Sequence, residues 1–252
     1  MTKQTGLGDR LWAAGRNVSG DIGALQRIAG GPAVLEVTGI DKSAFERLGG
    51  KRTGGFQFLS YFNDQITAPV GAHTVFSLLP TTDVVFTYGR GATIGSPAAC
   101  CVAKQVEYAG NRPDDGSLTF TVTAESNGFG LEWGQQLTAG DRTDTTATNG
   151  ASLDLGTASP GAFGLQAYLH VSAFVGTNIT IKIQESSDNA VGDPFADVVG
   201  GGFTVVTAAP ASERIATAAI NVERYLRVVT TGTFSSCMFA VTATRNPVAV
   251  VF

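Results

Sequence analysis

His73 and His170 are the only histidines of the 252-residue chain, and Cys100, Cys101 and Cys237 are its only cysteines. A metal cluster or a nucleophile triad needs more partners than two scattered histidines supply. His170 lies in the apolar run Ala167–Phe174 and is expected as a hydrogen-bonded strand residue, neither base nor metal ligand. Disulfide geometry demands well-separated Cα atoms, so Cys100 and Cys101 are not expected to bridge each other. An odd number of thiols without metal-ligand spacing points to reduced, buried side chains.

Asp114 and Asp115 could act as paired carboxylates, yet between Pro113 and Gly116 they read as turn residues that bond the local backbone. Glu132 beside Trp133 has the look of a glycosidase acid on a sugar platform, but no second carboxylate is placed with it. Gly89-Arg-Gly91 and Gly200-Gly-Gly202 lack dinucleotide or phosphate-loop spacing and are read as strand bends. Ser186-Ser-Asp-Asn189 is a fragment of a calcium-loop pattern without its full ligand set, and a surface turn is expected there. The sequons at Asn17 and Asn178 carry no weight without a secretory leader. Of Arg224 and Arg227, which flank Tyr225 and Leu226, one is expected to pair with Glu185 or Asp188 on a neighbouring strand. No catalytic, cofactor-binding or metal-ligating residue is assigned, and the chain is expected not to be an enzyme.

Charged residues make up 15% of the chain, mean hydropathy is +0.13, and Gly and Pro number 32 and 9. So little charge leaves apolar surface to be covered, and contacts between copies are one natural cover. The net charge is −4. It divides as 11 Lys/Arg and 12 Asp/Glu in residues 1–140, and 6 and 9 in residues 141–252. Neither half has the basic stripe that phosphate neutralisation requires. No stretch of 18 apolar residues is present and the N-terminus lacks an apolar leader core, so synthesis in the cytoplasm without membrane insertion is expected.

Alternating apolar and polar residues predict strands over Val34–Val37, Phe56–Phe62, Asp83–Tyr88, Cys101–Tyr108 and Leu118–Glu125. Thr38 with Asp41, then Ile40, Ala44, Phe45 and Leu48 on one face before Gly49-Gly50, predicts a helix over Ile40–Leu48. A second helix is predicted from Ala68 to Leu79, with Pro69 in its first turn. Gln135–Gly150 is polar and Thr/Asp-rich. The chain is therefore divided into residues 1–140, a linker at 141–150, and residues 151–252. Strands recur in the last block at Leu165–Val175, Asn178–Glu185, Phe203–Val206, Tyr225–Thr230 and Cys237–Thr244. The fold class is mainly β: an N-terminal sandwich or barrel with one or two short helices, then an all-β, jelly-roll-like sandwich.

The order of these elements resembles the major tail (tail tube) proteins of long-tailed, non-contractile bacteriophages. The likeness is carried by the Thr82-Asp83-led strand, Tyr88-Gly-Arg-Gly91, Ala103-Lys-Gln-Val106, the Asp114-Asp-Gly116 turn and Leu131-Glu-Trp-Gly134. In the second block it is carried by Phe163–Val171, Ile183–Asn189 and Glu223–Val228. The resemblance implies a virion protein that self-associates into hexameric, or trimeric and pseudo-hexameric, rings. The rings stack helically into a tube, with a tape measure protein and terminator or tip proteins as partners. Genomic DNA would cross the lumen without specific binding, on its way into the host. Stacking is expected to use residues 1–16 and Asp41–Gly55. Phe56–Phe62 and Cys101–Tyr108 are expected to line the bore, with Glu107 as a lumen acid. Alternatives are a capsid or decoration protein, or a carbohydrate-binding sandwich, which would require exposed aromatic platforms.

Overall fold

A computed structural model describes residues 6–67 and 69–248. The chain is mainly β, with 57% of residues in strands and 3% in helix. Its N-terminal half contains β1 (Arg10–Ala13), β2 (Arg16–Asn17), a 3-10 turn (Ser19–Asp21), β3 (Ile22–Glu36), β4 (Arg47–Tyr61), α1 (Ala72–Phe76), β5 (Val84–Gly89), β6 (Pro97–Asn111) and β7 (Thr119–Ser126). β8 (Glu132–Gln136), β9 (Arg142–Asp144) and β10 (Asn149–Asp154) lead into β11 (Leu165–Ser186), β12 (Ala196–Gly202), β13 (Ala211–Thr217) and β14 (Tyr225–Arg245).

β4 has the alternation a half-buried strand requires. Phe56, Phe58 and Ser60 are buried, while Gln57 and Leu59 are half-buried on the other face. Val122 and Ala124 of β7 continue the buried face, against Val75 and Phe76 of α1 and Phe86 of β5. The strands β3, β4, β7 and the outer half of β6 follow one another in antiparallel order.

β11 and β14 pair along almost their whole length, with register shifts between Val171 and Asn178. The two predicted strands on each side of that zone are one bent strand. Leu165, Leu169 and Val171 share a core with Ile179, Ile181 and Ile183, so the pair is doubled back on itself with its halves face to face. This is a sandwich made from one folded ribbon. Phe203–Val206 forms no continuous strand and is held by an isolated bridge, Val206 to Ile179, and by the Phe203 amide donating to Ile181 O at 3.0 Å.

The helix predicted at Ile40–Leu48 is instead the end of the β3–β4 hairpin. Thr38 caps no helix; its Oγ1 accepts from the Glu46 amide at 3.0 Å. The second predicted helix is confined to Ala72–Phe76; Ala68 lies outside the described residues. The Ala72 amide donates to Asp21 Oδ2 at 2.8 Å, so its cap comes from 51 positions upstream. No helix among the described residues is long and apolar enough to cross a membrane.

The segment read as a linker is paired into the sheet. β9 bonds to Cys237–Phe239 of β14, and Arg142 grips Asp144 at 2.7 and 2.8 Å. Asp141 accepts from Trp12 Nε1 at 2.7 Å and Asn17 Nδ2 at 2.5 Å. The polar composition of residues 141–150 serves these bonds.

Candidate assembly surface

The residues with chemical potential are used inside the fold. His170 is 2% exposed. Its Nδ1 accepts from the Gly15 amide at 3.3 Å, which leaves the proton on Nε2 for Thr87 Oγ1 at 3.0 Å. Thr87 donates onward to Cys100 Sγ at 3.6 Å, and Cys100 meets Thr242 Oγ1 at 3.1 Å. This chain of bonds links the first hairpin and β5 to β11 and β14. Gly15 is required there: its φ is +82°, and a Cβ would sit 2.5 Å from the Ala211 carbonyl oxygen. Burial pushes the Cys100 thiol up to about 12, so it stays protonated.

Burial also holds His170 down at about 3, against an ordinary value of 6.5. An unfolded chain then binds more protons than the native one between those two pH values. Stability present in full above pH 6.5 is lost as the pH falls towards 3. We expect acid destabilisation to begin near pH 6.5, above the range in which the ion-paired Asp83, Asp154 and Asp197 take up protons. Denaturant unfolding of His170→Gln should show lower stability at neutral pH but a flatter slope down to about pH 5. An unchanged slope would remove His170 as its cause.

Glu132 and Arg214 form a second buried bridge between the halves. Arg214 Nη2 lies 2.8 Å from Glu132 Oε1, with side chains 6% and 5% exposed. The Tyr168 hydroxyl donates to Glu132 and accepts from Arg214 Nε at 3.1 Å. The Arg214 guanidinium stands 3.8 Å from the centre of the Phe129 ring. Glu132 is thus a structural anion with no room for a sugar, and Trp12 is buried. Trp133 is 55% exposed.

Asp114 and Asp115 occupy a turn, with the Gly116 amide bonded to Pro113 O at 3.1 Å and the Ser117 amide to Asp115 Oδ1 at 2.9 Å. Ser186 Oγ likewise closes its loop by accepting from the Asp188 and Asn189 amides. Arg224 pairs with Asp154 at 2.7 Å, and Arg227 takes Gln184 Oε1 and stacks on Phe195. Neither arginine pairs with Glu185 or Asp188 as expected, because β10 and Gln184 stand nearer in the register.

The least satisfied surface belongs to the four-stranded sheet β6–β7–β4–β3. Among the described strands, β3 pairs only with β4, and the outer half of β6 pairs only with β7. Both outer edges are therefore free. Arg27, Gln57, Thr123 and Glu107 lie side by side across its solvated face. Gln57 Nε2 donates to Thr123 Oγ1 at 3.4 Å, and Thr123 Oγ1 donates to Glu107 Oε2 at 2.7 Å. Arg27 is paired with Glu125 at 3.5 Å and Lys104 with Asp83 at 2.8 Å, so each of these two cations has a carboxylate beside it. Of the segments Phe56–Phe62 and Cys101–Tyr108, Phe56–Tyr61 and Ala103–Tyr108 lie in this sheet, with Glu107 exposed on its polar side, whereas Cys101 and Val102 pair with β5 and Phe62 lies beyond β4.

The outer half of the β3–β4 hairpin extends past the sheet as a two-stranded arm. β7 supports β4 only from Gly55 to Tyr61. Leu131 packs against Gly54 so closely that a Cβ there would lie 2.4 Å from the Leu131 amide nitrogen. Beyond that point Val34 is 65%, Leu35 53%, Ile40 109%, Phe45 65% and Leu48 57% exposed. A run of bare apolar side chains on an arm marks an interaction surface. Sequence reasoning selected Asp41–Gly55 but assigned its apolar spacing to a helix. Of the other expected stacking segment, residues 1–5 lie outside the described residues. Leu11 and Trp12 are core residues, so residues 10–13 do not form a free arm.

No family model matches the chain, and no curated protein matches it. Several solved structures resemble it, among them the following three. A chain from the virion of a native gene transfer agent particle is 16% identical over 52% of this chain and 98% of its own, with a TM-score of 0.40. The SPP1 Dit protein, described as a paradigm of the hub adsorption apparatus in Gram-positive infecting phages, is 12% identical over 94% and 99%, with a TM-score of 0.33. A chain of the phage P2 baseplate, in its activated conformation with Ca, is 10% identical over 95% and 99%, with a TM-score of 0.31. These neighbours are components of virions and phage adsorption machinery. At such identities and TM-scores they settle neither the role nor the assembly of this chain.

Proposed function

We propose that the chain is a non-enzymatic building block of a phage tail, assembling into rings that stack as a tube for DNA passage. The observation that carries this reading is the pair of free edges on the four-stranded sheet. Natural sheets rarely leave long edges uncovered, because unpaired N–H and C=O groups recruit other strands. The four strands alternate in direction, so β3 of one copy meets β6 of the next antiparallel, and the alternation continues across the contact. The two edges differ, which makes the contact heterologous; it yields a closed ring when the rotation closes. Register shifts in β3 and β6 bend the strands, as closure into a barrel requires.

On this reading the face carrying Glu107, Thr123 and Gln57 lines the bore. Arg27 and Lys104 beside it are already paired with Glu125 and Asp83, so they offer DNA phosphates little on which to release counterions. Hexameric rings, a tape measure protein in the lumen and terminator or tip proteins at the ends follow from the family resemblance. Residues 151–252 form either an outer domain or a second ring-building unit.

The test is to concentrate the purified chain and examine it by light scattering and negative-stain microscopy. Rings or tubes are expected. A monomer at high concentration, without rings in the micrographs, would falsify the proposal.

A further inference from the structure

The arm ends in a preformed knob. The Val37 amide donates to Glu46 O at 3.0 Å, the Lys42 amide to Gly39 O at 3.1 Å, and the Glu46 amide to Thr38 Oγ1 at 3.0 Å. These bonds hold Ile40 wholly in solvent beside Asp41, whose side chain is 73% exposed. Lys42 approaches Asp41 and Glu46 only loosely, at 3.7 and 3.8 Å.

At the other end of the same hairpin lies a cavity of about 480 Å³, with Val70, Pro69, Ala173 and Met238 as its apolar wall and Arg10, Arg16 and Asp141 among its polar lining. This is the size of pockets that take small ligands or a few side chains. Among the described residues neither arginine forms an ion pair, and Asp141 is bonded to the neutral donors Trp12 Nε1 and Asn17 Nδ2; two arginines against one carboxylate leave the rim net positive where the knob carries Asp41 and Glu46. The 15 residues of β3 separate the two by about 50 Å at ~3.3 Å per residue. Because the hairpin is paired to its tip, the knob is kept away from the cavity of its own chain.

We propose that the knob of one copy, Ile40 with Asp41, enters the cavity between Arg10 and Arg16 of a second copy displaced along the hairpin axis. The inference rests on the ring-and-tube reading and assigns stacking to it: sheet edges close a ring, and knob and cavity join one ring to the next. A knob at one end and its receptor at the other make a heterologous contact that propagates. The ordered tip lowers the entropy cost of binding.

Four variants divide the possibilities: Ile40→Asp, Asp41→Arg, Arg16→Glu, and the last two combined. Circular dichroism melts establish folding, and sedimentation with microscopy scores rings and tubes separately. Each single variant is expected to retain rings and to raise the concentration needed for tubes about tenfold or more. The charge-swapped double variant should recover tubes. Tubes at wild-type concentration in all three single variants overturn the pairing while leaving the ring reading intact. Folded single variants that lose rings as well contradict the division between edge and knob. Failure of the double variant to recover tubes overturns the role of Arg16 and Asp41, and a monomeric wild-type chain overturns both readings.

Discussion

Replacing Arg214 with alanine is expected to cost the fold about 3–5 kcal/mol, because it strands Glu132 as an uncompensated buried charge. The pair is 6% and 5% exposed, so water cannot take over the lost partner. Tyr168 cannot supply a positive charge; burial, then the neighbouring Glu132, pushes its hydroxyl well above the usual range. Phe129 would also lose the guanidinium stacked on it. The combined Glu132→Gln/Arg214→Met variant should be less damaged than Arg214→Ala, since the charge and its partner leave together. Chemical denaturation of both variants measures the difference. A loss below about 1 kcal/mol for Arg214→Ala would show that this junction does not hold the halves together.

The second large effect is on association. Gln26 lies in a register shift of β3 and Val106 in one of β6, so neither is matched to a residue of the neighbouring strand. Proline at these positions leaves the pairing within the chain largely intact while blunting the outer edge. Gln26→Pro and Val106→Pro should each weaken edge pairing by about 2–3 kcal/mol, roughly 30- to 150-fold in Kd. The monomer should melt within a few degrees of the parent chain. Sedimentation equilibrium reads the first quantity and calorimetry the second. Wild-type association by either variant would remove that edge from the contact.

Strand positions were legible where burial alternates, as in Phe56, Phe58 and Ser60 against Gln57 and Leu59. They were not legible where an apolar residue serves something other than the chain's own core. Ile40, Phe45 and Leu48 have helical spacing, yet they are exposed on the arm, and Gly49-Gly50 continues β4 instead of stopping a helix. Polar residues misled in the opposite way. Asp141, Arg142 and Asp144 resemble a solvated linker, but each is bonded within the body. Pairings such as Glu132 with Arg214, 82 positions apart, leave no local trace. The cysteines were legible because isolated buried thiols need no partner in the sequence, and all three are free and buried.

If the sheet edges of neighbouring copies pair, a cryo-electron microscopy map of the assembled protein should show β3 of each subunit hydrogen-bonded antiparallel to the outer half of β6 of the next, with Glu107 facing a central channel. A map in which both edges remain unpaired, with subunits joined only through residues 151–252, would contradict that pairing.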